Sequence, residues 1–219
     1  MQARPISVQQ ATPPSAGLPG AQPSDELKII GVTRTFGRDQ EIYGQGGPAD
    51  LAFRVVSGAV RSFRVLADGR RQIDGFYFPG DVFGLDLETV RSSSAEAIGE
   101  VVVVLARRSV VMAGADQATR LWRHALLRLR RSQDHLLTLG RRSATERVAR
   151  FLVDLAERLA GGDDVELPMS RQDIADYLGL TIETVSRTMT QLQADGLIRL
   201  NGCRHVRLAR RAVLTELCE

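Results

Sequence analysis

Three polar residues, Glu183, Ser186 and Arg187, have the types and spacing to read base pairs in DNA. Glu183 and Arg187 are four residues apart with Ser186 between them, so a helix would project all three from one face. In a major groove an arginine can donate two hydrogen bonds to guanine, a glutamate can accept from the amino group of cytosine, and a serine can contact either. The alternative is a surface ion pair between Glu183 and Arg187, a common outcome of this spacing.

The elements that must position these residues favour DNA recognition. Ser170 and Asp173 have the spacing of a capping box at the start of a first helix, and Gly179 would end that helix. Thr181 would cap a second helix. Two short helices joined in this way predict a helix-turn-helix motif. The expected buried faces are Ile174, Ala175 and Leu178 on the first helix and Ile182, Val185, Met189 and Leu192 on the second.

The residues after the second helix predict a β-hairpin, which would make the unit a winged helix. Asp195 and Gly196 would end the helix. Short strands are expected at 197–200 and 204–208, around a two-residue turn at Asn201-Gly202.

Several polar residues of the motif and the wing could contact DNA phosphates, which would orient the domain without reading sequence. Arg199, Arg204 and Arg207 are the wing arginines, and a solvated basic hairpin would show the same pattern. The residues expected to contact the DNA backbone are Ser170, Arg171, Gln172, Thr181, Thr184 and Arg204.

Composition excludes several other classes of protein. The net charge of the 219 residues is only +3, so DNA affinity must depend on where the arginines lie. Cys203 and Cys218 are too few for a disulfide framework and have no zinc-site spacing, so we expect neither a metal nor a cofactor. The longest apolar run, 101–106, is too short to cross a bilayer, and the N-terminus lacks a signal-peptide core. We therefore expect a cytoplasmic protein without membrane contact, and no catalytic constellation indicates an enzyme.

The chain divides into four predicted segments. Residues 1–24, rich in Pro, Gln, Ala, Ser and Gly, predict a disordered leader. Residues 25–115 are β-rich and interrupted by glycine, which predicts a β-roll or barrel. A long helix over 116–140 would lead into the DNA-binding domain at 141–219. Within the roll, the expected strands are 51–56, 59–66, 70–78 and 101–105, with hairpin turns at Ser57-Gly58 and Asp68-Gly69.

The long helix carries one apolar stripe that needs a partner. A second copy of the same helix, in a parallel coiled-coil-like homodimer, is the simplest partner. Packing against the β-roll alone is the alternative. The residues of the stripe are Leu121, Ala125, Leu129, Leu136 and Leu139.

A β-roll, a long helix and a winged helix, in this order and length, resemble the CRP/FNR superfamily of bacterial transcription regulators. The resemblance covers about residues 28–217 and is carried by the segments PGDVFG at 79–84, SRQDIA at 170–175 and the Glu183-x-x-Ser186-Arg187 signature. It implies an α+β fold with a cyclic-nucleotide-binding-like roll, a dimer on DNA and contact with RNA polymerase. The signature is of the FNR type, because Ile182 and Ser186 replace the Arg and Gly of the cAMP-receptor type. An FNR-like palindrome, TTGAT-N4-ATCAA, is therefore expected.

The sensor half lacks the ligands that the superfamily uses for known signals. The FNR cluster needs four cysteines, and this chain has none before Cys203. A cyclic-nucleotide pocket needs a Glu after the Gly of its turn and an Arg-Ser pair before a strand, but Leu85 and Ser93-Ser94 occupy these places, with Arg91 two residues early. The three histidines fall outside the roll, which disfavours haem. The chain is thus similar to the FixK group, whose members typically activate microaerobic or nitrogen-fixation-associated genes.

Two alternatives to a constitutively competent activator remain open. One is a regulator gated by an unknown small molecule in the β-roll, which would need different affinities for two states of the long helix. The other is a thiol switch at Cys203, whose neighbour Arg204 could favour the thiolate. An inert small residue in a tight hairpin is the simpler interpretation of Cys203.

Overall fold

The structure is a computed structural model that describes residues 27, 29–159 and 162–218. The predicted leader at 1–24 lies outside the described residues. The first lobe contains β1 (Val32–Phe36), β2 (Glu41–Tyr43), β3 (Leu51–Ser57), β4 (Val60–Val65), β5 (Arg71–Tyr77), β6 (Val82–Phe83), β7 (Ser94–Ala97), β8 (Val101–Arg107) and the short helix α1 (Arg108–Val111). The second part contains α2 (Ala115–Arg141), α3 (Ala144–Arg158), β9 (Asp164–Glu166), α4 (Arg171–Leu178), α5 (Ile182–Ala194), β10 (Ile198–Asn201), β11 (His205–Leu208) and α6 (Arg211–Glu216).

The first lobe is a β-roll made of two antiparallel four-stranded sheets, ordered β1-β8-β3-β6 and β2-β7-β4-β5. All four predicted strands are present. The buried apolar side chains of the roll form a core that includes Phe36, Phe53, Val60 and Phe83. The predicted α+β fold class, with a roll, a long helix and a winged helix, is confirmed.

One of the two predicted hairpin turns is correct. Gly69 has a φ of +81° in the turn between β4 and β5, as expected for Asp68-Gly69. The turn at Ser57-Gly58 does not make a hairpin, because β3 and β4 belong to different sheets. Gly58 instead passes the chain between the sheets with a φ of +82°, and a Cβ there would lie 2.3 Å from the main-chain oxygen of Glu100.

The second lobe forms around α3, whose buried residues meet those of α4 and α5 in one apolar cluster. Ser143 caps α3 through a capping box with Glu146. The strands β10, β11 and β9 form a three-stranded sheet. The third strand, β9, was not expected from the sequence, because Asp164–Glu166 carries a single buried apolar residue.

The two lobes share apolar and polar contacts. Phe76 of β5 lies 5.2 Å, centroid to centroid, from Tyr177 of α4. Arg158 of α3 donates to Asp81 Oδ2 at 2.7 Å and to the main-chain oxygen of Phe76 at 2.8 Å. The DNA-binding motif is therefore held against the β-roll.

Arg147 of α3 connects the ends of two helices. Its guanidinium donates to the main-chain oxygens of Leu139 at 2.7 Å, Arg142 at 2.9 Å and Leu178 at 3.1 Å. Leu139 lies in the last turn of α2 and Leu178 is the last residue of α4. One side chain thus joins the long helix to the first helix of the motif.

Candidate nucleic-acid interface

The first helix of the motif begins and ends as the sequence predicts. The Ser170 side chain accepts a hydrogen bond from the Asp173 amide at 3.1 Å, and Asp173 Oδ2 accepts from the Ser170 amide at 3.0 Å. Gly179 ends α4 with a left-handed φ of +62°, which costs least at glycine. Thr181 then caps α5 by accepting from the Thr184 amide at 3.2 Å. These caps fix how the second helix starts relative to the first.

The buried face of α5 comprises Val185, Met189 and Leu192, as expected, together with Thr188. Ile182 was expected in this face but is 37% exposed, because it lies in the first turn, where α5 leaves the core. The opposite face carries the three predicted base-reading residues, Glu183, Ser186 and Arg187, all of them exposed. The motif therefore presents them together on one open surface.

Glu183 and Arg187 are free of the ion pair that was the alternative explanation of their spacing. Among the described residues, no carboxylate lies within 4.0 Å of the Arg187 guanidinium. The pKa of Glu183 is lowered mainly by its own amide and by the Thr181 side chain, and only weakly by Arg187. Both charged groups are therefore available to an external partner, and their contact with bases stays a prediction.

The residues predicted to contact phosphates lie at the two helix starts and on the wing. Ser170, Gln172, Thr181 and Arg204 are exposed, whereas Arg171 and Thr184 are half-buried. Burial lowers the pKa of Arg171. The amide of Leu167, shortly before the start of α4, donates to the main-chain oxygen of Arg204 in the wing turn at 2.7 Å. The start of α4 and the wing turn therefore lie close together, although the sequence separates them by about thirty residues.

The wing differs from the prediction in its turn. Asn201 pairs with His205, so the loop between β10 and β11 has three residues, 202–204, instead of two. Gly202 takes a φ of +70° at the first of them. The longer loop leaves Cys203 and Arg204 exposed at the tip of the wing. A thiol switch at Cys203 stays an untested alternative, and an inert residue in the wing turn stays the simpler interpretation.

Arg199 and Arg207 are opposite one another on the paired wing strands. Arg207 approaches Asp164 only at 4.0 Å, with both side chains largely exposed. Two like charges held side by side on an exposed surface repel each other, so an anionic partner would stabilise them.

Comparison with known proteins matches both halves of this architecture. A Crp-like helix-turn-helix domain matches residues 146–217, and a cyclic nucleotide-binding domain matches residues 33–117. The nitrogen fixation regulation protein FixK of Azorhizobium caulinodans is 45% identical over 206 residues, covering 90% of this chain and 83% of that protein. The chain belongs to the CRP/FNR family.

Within this CRP/FNR family the chain is FixK-like. The FixK protein of Rhizobium meliloti is 45% identical over 188 residues, which cover 85% of this chain and 87% of that protein. The structure of FixK2 from Bradyrhizobium japonicum superposes with a TM-score of 0.83 at 44% identity, covering 87% of this chain and 98% of that chain. The protein is thus a transcriptional regulator that binds DNA through its helix-turn-helix, and it is not an enzyme.

The interior of the roll in this CRP/FNR regulator is filled with aromatic side chains. Phe53 and Phe83 stack with 5.1 Å between centroids, and Tyr43 and Tyr77 lie against them. Arg91, with 3% of its surface exposed, lies over Tyr43. Leu85, where a nucleotide-binding relative would carry its Glu, packs on an apolar cluster.

Arg128 of α2 reaches the same region from the other side and donates to the Tyr77 hydroxyl at 2.9 Å. Burial raises the pKa of Tyr77, so this hydroxyl keeps its proton. The groups that would face a nucleotide are therefore engaged with one another.

The three histidines lie outside the roll, as the sequence indicated. His135 of α2 stacks on Tyr177 with 4.1 Å between centroids, and His205 is exposed on the wing. Burial lowers the pKa of His124 to about 4, and the nearby charges of Arg128 and Arg131 add to this effect. In the described ranges, no three His, Cys, Asp or Glu side chains come together as metal ligands, and none of the helices has the length and apolar character to span a membrane.

The apolar residues of α2 do not share one environment. Leu121 packs against the roll and Leu139 is half-buried, so these two members of the predicted stripe contact their own chain. Ala125, Leu129 and Leu136 are exposed. The exposed face also includes Trp122 and Leu126, at 68% and 47% exposure. The stripe available to a partner is therefore rotated toward Trp122 relative to the prediction.

Two residues that act on the motif were not found from the sequence. Arg61 of β4 and Arg71 of β5 contact Asp173, the capping residue of α4. The separation along the chain exceeds one hundred residues in both pairs. No local pattern reports such a contact, because it arises only when the roll and the motif pack together.

Proposed function

We propose that two copies of this CRP/FNR regulator pair along α2 and bind the palindrome TTGAT-N4-ATCAA, each copy reading one half-site with Glu183, Ser186 and Arg187. The observation that carries this proposal is the exposed face of α5, which presents these three residues together on one open surface. Arg187 would recognise the guanine and Glu183 the cytosine amino group of the half-site.

The exposed stripe of α2 supports the dimer. Trp122, Leu126, Leu129 and Leu136 follow one another at intervals of four, three and seven residues, which is the repeat of a two-stranded coiled coil. Complete burial of an apolar side chain of this size stabilises by about 1.5–3 kcal/mol, and these four are still 47–68% exposed. A second copy would cover them and place two recognition helices about one helical turn of DNA apart.

The regulatory context of the proposal follows from the FixK relatives, which are nitrogen fixation regulation proteins. We propose that the regulator acts in the cytoplasm as an activator of microaerobic or nitrogen-fixation-related genes by contacting RNA polymerase. The filled interior of the roll supports DNA binding without a nucleotide effector.

Fluorescence anisotropy of the purified, ligand-free protein tests the proposal. A labelled TTGAT-N4-ATCAA duplex is compared with a TGTGA-type palindrome and a scrambled duplex at one fixed salt concentration. Tight binding to the first duplex alone is the expected result. Equal binding to all three would refute the base assignment, and binding that appears only after a cyclic nucleotide is added would favour a regulator gated through the roll.

A further inference from the structure

Two arginines of the β-roll converge on the first turn of α4. Arg71 Nη2 lies 2.7 Å from Asp173 Oδ1, and Arg61 Nη1 lies 3.3 Å from both carboxylate oxygens of Asp173. The side chain of Asp173 is 2% exposed. The other side of the same carboxylate accepts from the amide of Ser170 at 3.0 Å and from its hydroxyl at 2.8 Å. One buried carboxylate therefore both caps the first helix of the motif and joins it to the roll.

Further carboxylates fix the orientation of both guanidinium groups. Arg61 Nη2 lies 2.7 Å from Glu96 and 2.9 Å from Asp39. Arg71 Nε donates to Asp176 of α4 at 2.9 Å. Arginine has a planar group with donors at fixed angles, so contacts in several directions define its position.

The charge balance makes each arginine necessary to the arrangement. Two guanidinium groups stand among four carboxylates, those of Asp39, Glu96, Asp173 and Asp176. Without either arginine, Asp173 would lose a partner in a buried position, where an uncompensated charge is strongly unfavourable. The carboxylates of the roll would then repel those of α4.

We propose that Arg61 and Arg71 are positioning residues for DNA recognition, which set the direction of the recognition helix through Asp173. They touch no DNA themselves. The roll is joined to α2 by the hydrogen bond from Arg128 to Tyr77, so it holds α4 in a fixed place relative to the dimer helix. Because α4 packs on α5, the two arginines determine how far apart two recognition helices lie in a dimer. The effect of the two arginines on DNA binding rests on the proposed function, whereas their effect on the orientation of α4 does not.

The structural consequence is tested first, without DNA. A spin label on the exposed Cys203 of the wing and another at Leu87→Cys, a 97% exposed loop residue of the roll, report the distance between the lobes. Doubly labelled chains are diluted into an excess of unlabelled chains, so that only distances within one chain are measured. We expect one narrow distribution for the parent protein and a broad or shifted one for Arg61→Ala and Arg71→Ala. Unchanged narrow distributions in both variants would overturn the proposal.

Arg64→Ala is the matched control. Arg64 is also on β4, but its side chain is 55% exposed and its one carboxylate contact, to Asp74, is 3.9 Å long. This variant should keep the parent distribution. If Arg64→Ala broadens the distribution as much as Arg71→Ala, the effect is a general loss of charge and the assignment fails.

The DNA consequence uses palindromes whose half-sites are separated by three, four or five base pairs. For Arg71→Ala we expect about tenfold weaker binding to the four-base-pair spacing and a flatter preference among the three, a coupling of ordinary size for distant sites. The preference for the half-site guanine, which depends on Arg187, should stay. A parent protein that prefers no palindrome would refute the proposed function, while the label distances would still decide the positioning role.

Asp173→Asn tests the same contacts if Arg61→Ala or Arg71→Ala fails to fold. The amide oxygen can still accept from the Ser170 amide, so the cap survives while the charge is lost. With circular dichroism and Cys218 burial like the parent, this variant should show the broadened distribution of Arg71→Ala. A parent-like distribution in a folded Asp173→Asn protein would show that the ionic contacts do not orient the motif.

Discussion

The guanidinium of Arg91 lies over the ring of Tyr43, with 4.1 Å between the guanidinium carbon and the ring centroid. The same group donates to the main-chain oxygens of Leu51 at 2.6 Å and Gly84 at 2.7 Å and pairs with Asp86 at 3.0 Å. One side chain therefore satisfies polar groups at the start of β3 and in the segment after β6, and it covers the aromatic interior of the roll. Arg91 is therefore a structural element of the core, although its position in the sequence could suggest a displaced nucleotide ligand.

Arg91→Ala should destabilise the protein by about 2–4 kcal/mol, because two carbonyl groups lose a buried donor and the half-buried carboxylate of Asp86 keeps only its hydrogen bonds from Ser92. Urea unfolding followed by circular dichroism measures the change. Arg34→Ala is the control, since Arg34 makes a comparable contact with Phe36 at 5.2 Å but is exposed. The control should lose about 0.5 kcal/mol or less. An equal loss in both variants would mean that Arg91 is no more than a surface charge.

Arg187→Ala should weaken binding to the palindrome by about 1–3 kcal/mol per half-site and reduce the preference for guanine at one position. The comparison variant is Arg199→Ala on the wing, which should weaken all sequences alike and flatten the dependence of affinity on salt. Titrations on matched and base-substituted duplexes at several salt concentrations separate the two effects. If Arg187→Ala weakens random and palindromic DNA equally, Arg187 does not read a base.

Leu129→Glu should convert the proposed dimer to monomers at micromolar concentration, because a charge would be buried in the proposed seam between two α2 helices. Leu127→Glu is the matched control, since Leu127 is 52% exposed but faces away from the stripe that includes Leu129 and Trp122. Sedimentation equilibrium gives the mass of each variant. Dimers in both variants, or monomers in both, would exclude this stripe as the interface.

Stability should fall as the pH falls from about 6.5 toward 4, in part because of His124. Its folded-state pKa is lowered to about 4, so the unfolded chain binds a proton in this window that the folded protein does not. The free energy of unfolding therefore falls by roughly 2–3 kcal/mol as the pH falls through this window.

His124→Gln provides the check, because its amide replaces the imidazole but cannot titrate. Urea unfolding between pH 4 and 8 should show a smaller loss of stability in the variant than in the parent protein. Parallel curves would assign the acid sensitivity to other groups.

The local elements of the interface could be predicted, and the contacts that orient them could not. Ser170, Gly179 and Thr181 act through neighbours within four residues, so the start and end of each helix follow from short patterns. Ile182 has the right period for the buried face but lies at the helix end, where period alone does not decide burial. The prediction of a two-residue wing turn was wrong for a related reason. Asn201 pairs in the strand, and Gly202 then begins a longer loop.

The periodicity of apolar residues in the long helix does not predict which chain covers each of them. An apolar residue fits a stripe whether the neighbour that covers it is the same chain or another. Leu121 and Leu139 meet their own chain, whereas Trp122 and Leu126 are left exposed, a difference of about one hundred degrees around the helix. Only the packing of the roll on α2 decides between these faces.

Arg147 joins two helix ends whose dipoles have the same sign. The carbonyl ends of α2 and α4 both carry partial negative charge, so without a cation between them they would repel each other. The Arg147 guanidinium thus offsets the repulsion between the C-terminal ends of α2 and α4 by binding carbonyl groups of both. Arg147 adds a charged contact beside the stacking of His135 on Tyr177, which also joins α2 to α4. Lysine could restore that charge but not the simultaneous contact with three carbonyl groups.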